Sequence, residues 1–216
     1  MESDQAKKIF LLSTIVLGVL VILSLVWAVS LALGGDKKVL SFNDDNDPIL
    51  GPGEAKVVVR IFSDFQCPAC QMAEAGLKYA MDTYKDQVRF VWNDFPLQAL
   101  HANALRAAEA ARCAEEQGKF WEYHERLFAD QAAWSGLSDP LPKFRAYADA
   151  LGLEANNFSS CVDERKYQNK IMDDLREGQA AGVQATPIFF VGEKALVGAQ
   201  ENDVWDREIQ QQLTAQ

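Results

Sequence analysis

Two thiols one helical turn apart, Cys67-Pro68-Ala69-Cys70, follow the apolar run Val57-Val58-Val59-Arg60-Ile61-Phe62 and precede a segment of helical periodicity. No other stretch restricts the fold as much. A strand that ends in C-x-x-C and turns into a helix puts the first sulfur where unpaired backbone N–H groups and the positive helix end favour a thiolate. Cys67 is therefore the candidate nucleophile. Pro68 suits the first helical position, because its φ is already helical and its missing N–H would be unbonded there. Beyond the motif, Ala73, Leu77, Ala80 and Tyr84 recur at the three-four spacing of a buried face, so Cys70 points inward as the candidate resolving thiol.

A C-x-x-C pair can also be half of a zinc site, which needs about four ligands, usually from a second pair. The remaining candidates are the widely separated Cys113 and Cys161 and two histidines, His101 and His124. No second pair exists, so a redox dithiol is the expectation, with no metal and no cofactor.

Residues Ile9 to Leu33 carry no charge and are mostly apolar. As a helix they would span roughly 37 Å, beyond the hydrocarbon core of a bilayer. The segment reads as one uncleaved transmembrane anchor after a short tail (1–8), being longer than the apolar region of a secretory signal, although Ser30, Ala32 and Gly34 leave cleavage open. Lys7 and Lys8 before it and Lys37 and Lys38 after it leave the positive-inside count tied. Trp27 falls near the outer end, where indole rings favour the interface.

Residues 34–53 hold Gly34-Gly35, the polar run Asn43-Asp44-Asp45-Asn46-Asp47-Pro48 and Gly51-Pro52-Gly53, the composition of a flexible linker. The acids lack the Gly and distal Glu of an EF-hand, so a solvated linker is expected rather than a calcium loop. The rest, 54–216, suffices for one domain with a real core. With 31 acidic against 21 basic side chains the net charge is −10, which disfavours a nucleic-acid partner.

Within that domain the pattern predicts a strand at about 57–65, a helix at 68–86 and a strand at 88–94, a β-α-β unit with parallel strands. From about 102 to 181 the periodicity is helical. Phe120, His124 and Leu127 form one stripe and Leu141, Phe144, Ala148 and Leu151 another. A strand from Pro187 to Val191, a Gly192-Glu193 turn, a strand at Ala195-Leu196-Val197 and a helix carrying Trp205, Ile209 and Leu213 close the chain. The fold class is α/β. His124, on an apolar stripe, reads as a hydrogen-bonded core histidine, His101 has no assigned partner, and neither is given a catalytic role. Arg60 interrupts a buried strand and calls for a carboxylate that the sequence does not name.

Phe62-Ser63-Asp64-Phe65-Gln66-Cys67-Pro68-Ala69-Cys70, followed by Asp94-Phe95-Pro96-Leu97 and Gly182-Val183-Gln184-Ala185-Thr186-Pro187, resembles membrane-anchored DsbA-like thiol:disulfide oxidoreductases over about residue 50 to the end. The resemblance implies a thioredoxin-like fold with an inserted helical subdomain, here about 102–181. It also implies oxidation or shuffling of cysteine pairs in exported, unfolded proteins, with a membrane thiol oxidase or reductase as redox partner. Pro68 and Ala69 would tune the dithiol. Pro187 would be cis and lie against the C-x-x-C, while the backbone of Thr186 would pair with the substrate chain by strand addition. This chain departs from the family pattern twice. Ala69 stands where the strongest oxidants carry His, and Ile61 stands where many relatives carry an acid six residues before the first Cys.

Disulfide chemistry belongs in an oxidising compartment, so the domain is expected on the extracytoplasmic side of a single-pass membrane protein in a bacterial cell envelope. There Cys113 and Cys161 either stay buried free thiols or form a structural disulfide, and the bridge is the favoured reading. Reductase or isomerase action by the same site, and a tethered binding or assembly module without turnover, are the alternatives.

Overall fold

The computed structural model describes residues 17–28 and 42–215 and divides the chain into two compact units, 1–41 and 42–216. In the first unit, 17–28 are helical (α1) and exposed. Among the described residues no helix is long and apolar enough to cross a membrane. Much of the expected anchor at 9–33, and the tail before it, lies outside the described residues.

In the second unit β2 (Val57–Ser63), α2 (Pro68–Tyr84) and β3 (Val88–Asp94) form the β-α-β unit, with β2 and β3 parallel. β4 (Ile188–Val191) pairs antiparallel with the other edge of β2, and β5 (Lys194–Val197) pairs with β4. A two-residue strand, β1 (Ile49–Leu50), adds antiparallel to β3, giving the order β1-β3-β2-β4-β5. Helix α9 (Asn202–Thr214) ends the chain.

Side-chain alternation along β2 gives the sheet two different faces. Val57, Val59 and Ile61 enter the main core, shared with Leu77 and Ala80 of α2 and with Trp205 and Ile209 of α9. Arg60 and Phe62 face the other way, where the Phe62 ring meets Phe42, Phe95 and Phe190 at centroid distances of 5.8, 6.2 and 5.9 Å. Gly76 permits the close approach to the last helix: a Cβ there would lie 2.2 Å from the Gln200 carbonyl oxygen and 3.1 Å from the Trp205 indole nitrogen.

The insertion between β3 and β4 consists of α3 (Ala104–Glu115), α4 (Phe120–Ala129), α5 (Gln131–Trp134), α6 (Leu141–Ala150), α7 (Ala155–Asp163) and α8 (Gln168–Ala181). Cys113 of α3 and Cys161 of α7 are joined by a disulfide, with their Cα atoms 5.8 Å apart. Arg112 on α3 is wholly buried and holds the insertion to the sheet. Its guanidinium donates to Asp94 at the end of β3 (2.6 Å), to Asp174 of α8 (2.5 Å) and to Asp47 (3.0 Å). Lys170 adds a second cation, 2.5 Å from both Asp47 and Asp174.

Asp47 corrects the reading of its neighbourhood. The polar run 43–48 was expected to be solvated linker, yet Asp47 is 5% exposed and Ile49–Leu50 are paired in the sheet. Asp44 bridges Arg60 (2.5 Å) and Arg89, which supplies the carboxylate that Arg60 required. A cation buried in an otherwise apolar strand needs such a partner, because an unpaired charge there would cost several kcal/mol.

His124 is also a correction. It is wholly buried on α4, but neither ring nitrogen has a hydrogen-bond partner. The imidazole packs edge-on to Trp92 at 4.7 Å and sits among Phe65, Phe120 and Phe128, with Nε2 3.5 Å from a Glu74 carboxylate oxygen. Burial drives its pKa down to about 3, so the ring is neutral.

Candidate active site

Cys67 occupies the N-cap of α2 with extended backbone (φ −74°, ψ 123°), and Pro68 takes the first helical position. The Cys70 and Gln71 N–H groups donate to the Cys67 carbonyl oxygen at 3.1 Å each, and the backbone N–H groups of Ala69 and Cys70 lie beside the Cys67 sulfur. The two cysteines are free thiols, Cys67 with 7% and Cys70 with 1% of its surface exposed. Cys70 lies on the inward face of α2 with Ala73 and Leu77.

Their environments push the two thiols apart. The hydrogen bond from Cys70 lowers the Cys67 pKa to about 5 against the opposing effect of burial, helped by the Thr186 side chain and by the backbone N–H groups of Cys70 and Ala69. Burial, together with donation of its proton to Cys67, holds Cys70 far above the ordinary thiol range. One sulfur is thus a thiolate at neutral pH while its partner keeps its proton.

Thr186 and Pro187 come to the same place from the far end of the insertion. The Thr186–Pro187 bond is cis, and the Thr186 carbonyl oxygen lies 3.6 Å from Cys67 Sγ. The Thr186 side chain is buried beside the two cysteines. Next to this turn a groove runs between the 95–100 loop and Leu175, Val183 and Gln184. Leu100 on that loop and Met72 on the first turn of α2 are 77% and 69% exposed, unusually open for apolar side chains.

Polar residues not singled out in the sequence hold the loop before the motif. The Gln131 amide donates to the carbonyls of Phe65 (2.8 Å) and Cys67 (3.1 Å). Gln66 reaches the Ser135 carbonyl (2.8 Å) and accepts from the Asn103 N–H (2.7 Å). The buried Asp64 carboxylate accepts from the Gln66 N–H at 2.7 Å, the Leu97 N–H at 2.9 Å and His101 Nδ1 at 2.7 Å. Of these, only the Asp64-to-Gln66 turn was detectable locally, as an Asx pattern. The other partners lie dozens of residues away.

A parallel β-α-β unit, a C-x-x-C pair at the start of its helix and a cis-proline turn against the first sulfur define a thioredoxin-fold dithiol protein. Residues 43–211 match a family model described as thioredoxin, and the chain belongs to that family. Its fold is similar to that of DsbA-type solved structures. Among solved structures it is similar to a thioredoxin-like oxidoreductase from Silicibacter pomeroyi DSS-3, with 27% identity and a TM-score of 0.67, covering 84% of this chain and 100% of that one. BdbD from Bacillus subtilis in its oxidised form shares the fold at 21% identity and a TM-score of 0.69, covering 80% of this chain and 95% of that one. The thiol-disulfide exchange protein alpha-DsbA2 from Wolbachia pipientis shares it at 19% identity and 0.67, covering 76% and 86%. Among curated relatives, Na(+)/H(+) antiporter NhaA 3 of Salinispora tropica is 38% identical over 147 residues, which is 68% of this chain and 22% of the relative. The chain thus spans about a fifth of the length of the curated relatives it matches.

Proposed function

We propose that the chain is a thiol:disulfide oxidoreductase that introduces or exchanges disulfide bonds in exported proteins through Cys67 and Cys70. The observation that carries this reading is the split between the two thiols: Cys67 with its pKa near 5 at the helix start, Cys70 protonated beneath it. A low-pKa thiolate is a good leaving group, and stabilising the reduced pair makes its disulfide an oxidant.

In the oxidising direction a client thiolate attacks Cys67 Sγ of the Cys67–Cys70 disulfide. A client–Cys67 disulfide forms, the bond to Cys70 breaks, and Cys70 takes the electron pair and then a proton. A second client thiolate attacks the client sulfur of that mixed disulfide and releases Cys67 as a thiolate. The client pair loses two electrons and the enzyme pair gains them, so each turnover requires a reoxidising partner. Thr186 and Pro187 support client binding, the Thr186 backbone offering main-chain contacts that tolerate many sequences. Pro68 fixes the helix start and Ala69 leaves the dipeptide uncharged.

The reading extends to location. The uncharged stretch from Ile9 to Leu33 serves as a single-pass anchor with the domain on the extracytoplasmic side, facing a membrane thiol oxidase or reductase. The Cys113–Cys161 disulfide supports an oxidising compartment. Oxidation of a dithiol peptide by the purified oxidised chain, followed with a glutathione titration of the Cys67/Cys70 pair, tests the function. Stoichiometric conversion of peptide thiols to disulfide is expected. An oxidised chain that leaves the peptide reduced would contradict the proposal, and a strongly reducing potential would reverse its direction.

A further inference from the structure

Asp64 brackets the dithiol with its own backbone. Its N–H donates toward the Cys70 sulfur at 3.5 Å, and its carbonyl oxygen accepts from the Cys67 N–H at 3.0 Å. Its side chain is the anchor for this peptide, fixed by the Gln66 and Leu97 N–H groups and by His101 Nδ1. A carboxylate can only accept, so the proton of the last contact sits on Nδ1. His101 is the one side chain in that set, and it comes from the loop after β3.

Cys70 is the sulfur that needs assistance. Burial opposes its ionisation. When a thiolate attacks Cys67, the sulfur–sulfur bond breaks and its electron pair moves onto Cys70, which is an anion until it takes up the proton that the attacking thiol gave to solvent. An N–H already aimed at that sulfur stabilises the charge as it develops and needs no reorganisation to do so. Resting on the exchange reaction above, we propose that His101 is a positioning residue: by holding the Asp64 carboxylate it keeps the Asp64 N–H on Cys70, where that N–H stabilises the departing thiolate.

The test uses the full chain, oxidised at Cys67–Cys70, with dithiothreitol as the attacking thiol and stopped-flow detection of reduction. His101→Phe removes the donor, whereas His101→Asn places an amide N–H near the position of Nδ1. His101→Phe is expected to slow reduction about tenfold, less than the roughly hundredfold loss when an anion-facing donor is itself deleted. The Cys67 ionisation midpoint and the glutathione equilibrium stay at the wild-type values, and His101→Asn recovers most of the rate. A wild-type rate in His101→Phe overturns the proposal. So does equal slowing in both variants, or a shifted equilibrium or midpoint that accounts for the slowing. If Phe prevents folding, His101→Ala serves in its place against the same Asn variant. Dithiothreitol reports on the Cys67–Cys70 bond whatever the natural client is. The expected His101 pattern in a chain inactive on peptide dithiols would therefore support this inference while overturning the proposed function.

Discussion

The sulfur of Cys67 lies 3.6 Å from the carbonyl oxygen of Thr186, a residue 119 positions later in the chain. Two halves of a split fold meet at that contact. β2 and the start of α2 deliver the sulfur, while the whole helical insertion intervenes before β4 returns the cis-proline turn to it. The reactive sulfur and the Thr186 backbone are thereby presented side by side.

The Cys67 ionisation gives the first prediction. Its folded pKa of about 5 lies below the ordinary thiol value of 9.0. The thiolate therefore stabilises the reduced fold fully above pH 9, and that contribution falls away as pH drops through about 5. Alkylation of Cys67 by iodoacetamide should rise with a midpoint near pH 5. Cys70→Ala should move the midpoint upward, because the largest lowering cause is the Cys70 hydrogen bond. A wild-type midpoint in the ordinary thiol range would remove the basis for a preformed thiolate.

The dipeptide between the cysteines is expected to set how far the pair oxidises others. Ala69 contributes neither charge nor side-chain donor, so Ala69→His should make the pair more oxidising by adding a potential cation beside the sulfur. With Cys67 already ionised at neutral pH, each further unit of pKa lowering shifts the potential by roughly 30 mV. Titration of both proteins against glutathione measures it. An unchanged or more reducing potential would place control with Thr186 and the buried surroundings instead.

Arg112 should carry a large share of the stability. Its guanidinium is the shared counter-ion of Asp47, Asp94 and Asp174, all of them buried. Arg112→Met leaves those carboxylates facing one another with only Lys170 nearby, and should cost about 3–5 kcal/mol in urea unfolding. A loss below about 1 kcal/mol would show that the carboxylates simply take up protons.

The Cys113–Cys161 bridge closes a loop of 48 residues. In the chain-entropy model such a loop is worth about 4 kcal/mol. The double Cys113→Ser, Cys161→Ser variant should unfold at correspondingly lower denaturant while Cys67 still alkylates with its acidic midpoint. Two alkylated thiols at 113 and 161 in folded, air-exposed wild-type protein would contradict the bridge.

How much of this was legible in the sequence follows the range of the interactions. The apolar run at 57–62, the three-four spacing after Cys70 and the turn residues near Gly192 are local signals, and the elements they predict are present. The two residues of β1 carry no such signal. They sit between Pro48 and Gly51, after a run of acids, and that composition reads as linker. Asp47 is buried because Arg112, 65 positions away, needs it. The same holds in the site. Cys67, Pro68 and Cys70 announce themselves by spacing, and Thr186-Pro187 stood out by resemblance. His101 gave no hint of Asp64, because their pairing depends on how the loop after β3 folds back. For His124 the apolar stripe predicted burial correctly, but not that Trp92 and the phenylalanine rings would surround the imidazole and leave its nitrogens unbonded.

The most direct test of the account is covalent trapping. Full chains carrying Cys70→Ser or Cys67→Ser would each be incubated with a reduced, cysteine-containing client and an oxidant, then quenched with acid and resolved without reductant. Cys70→Ser, which retains the sulfur at the helix start and lacks the resolving thiol, should accumulate a mixed disulfide with the client at Cys67. Cys67→Ser, whose remaining sulfur is buried and protonated, should accumulate little. Trapping through Cys70 alone, or none in either variant, would contradict the assignment of Cys67 as the nucleophile.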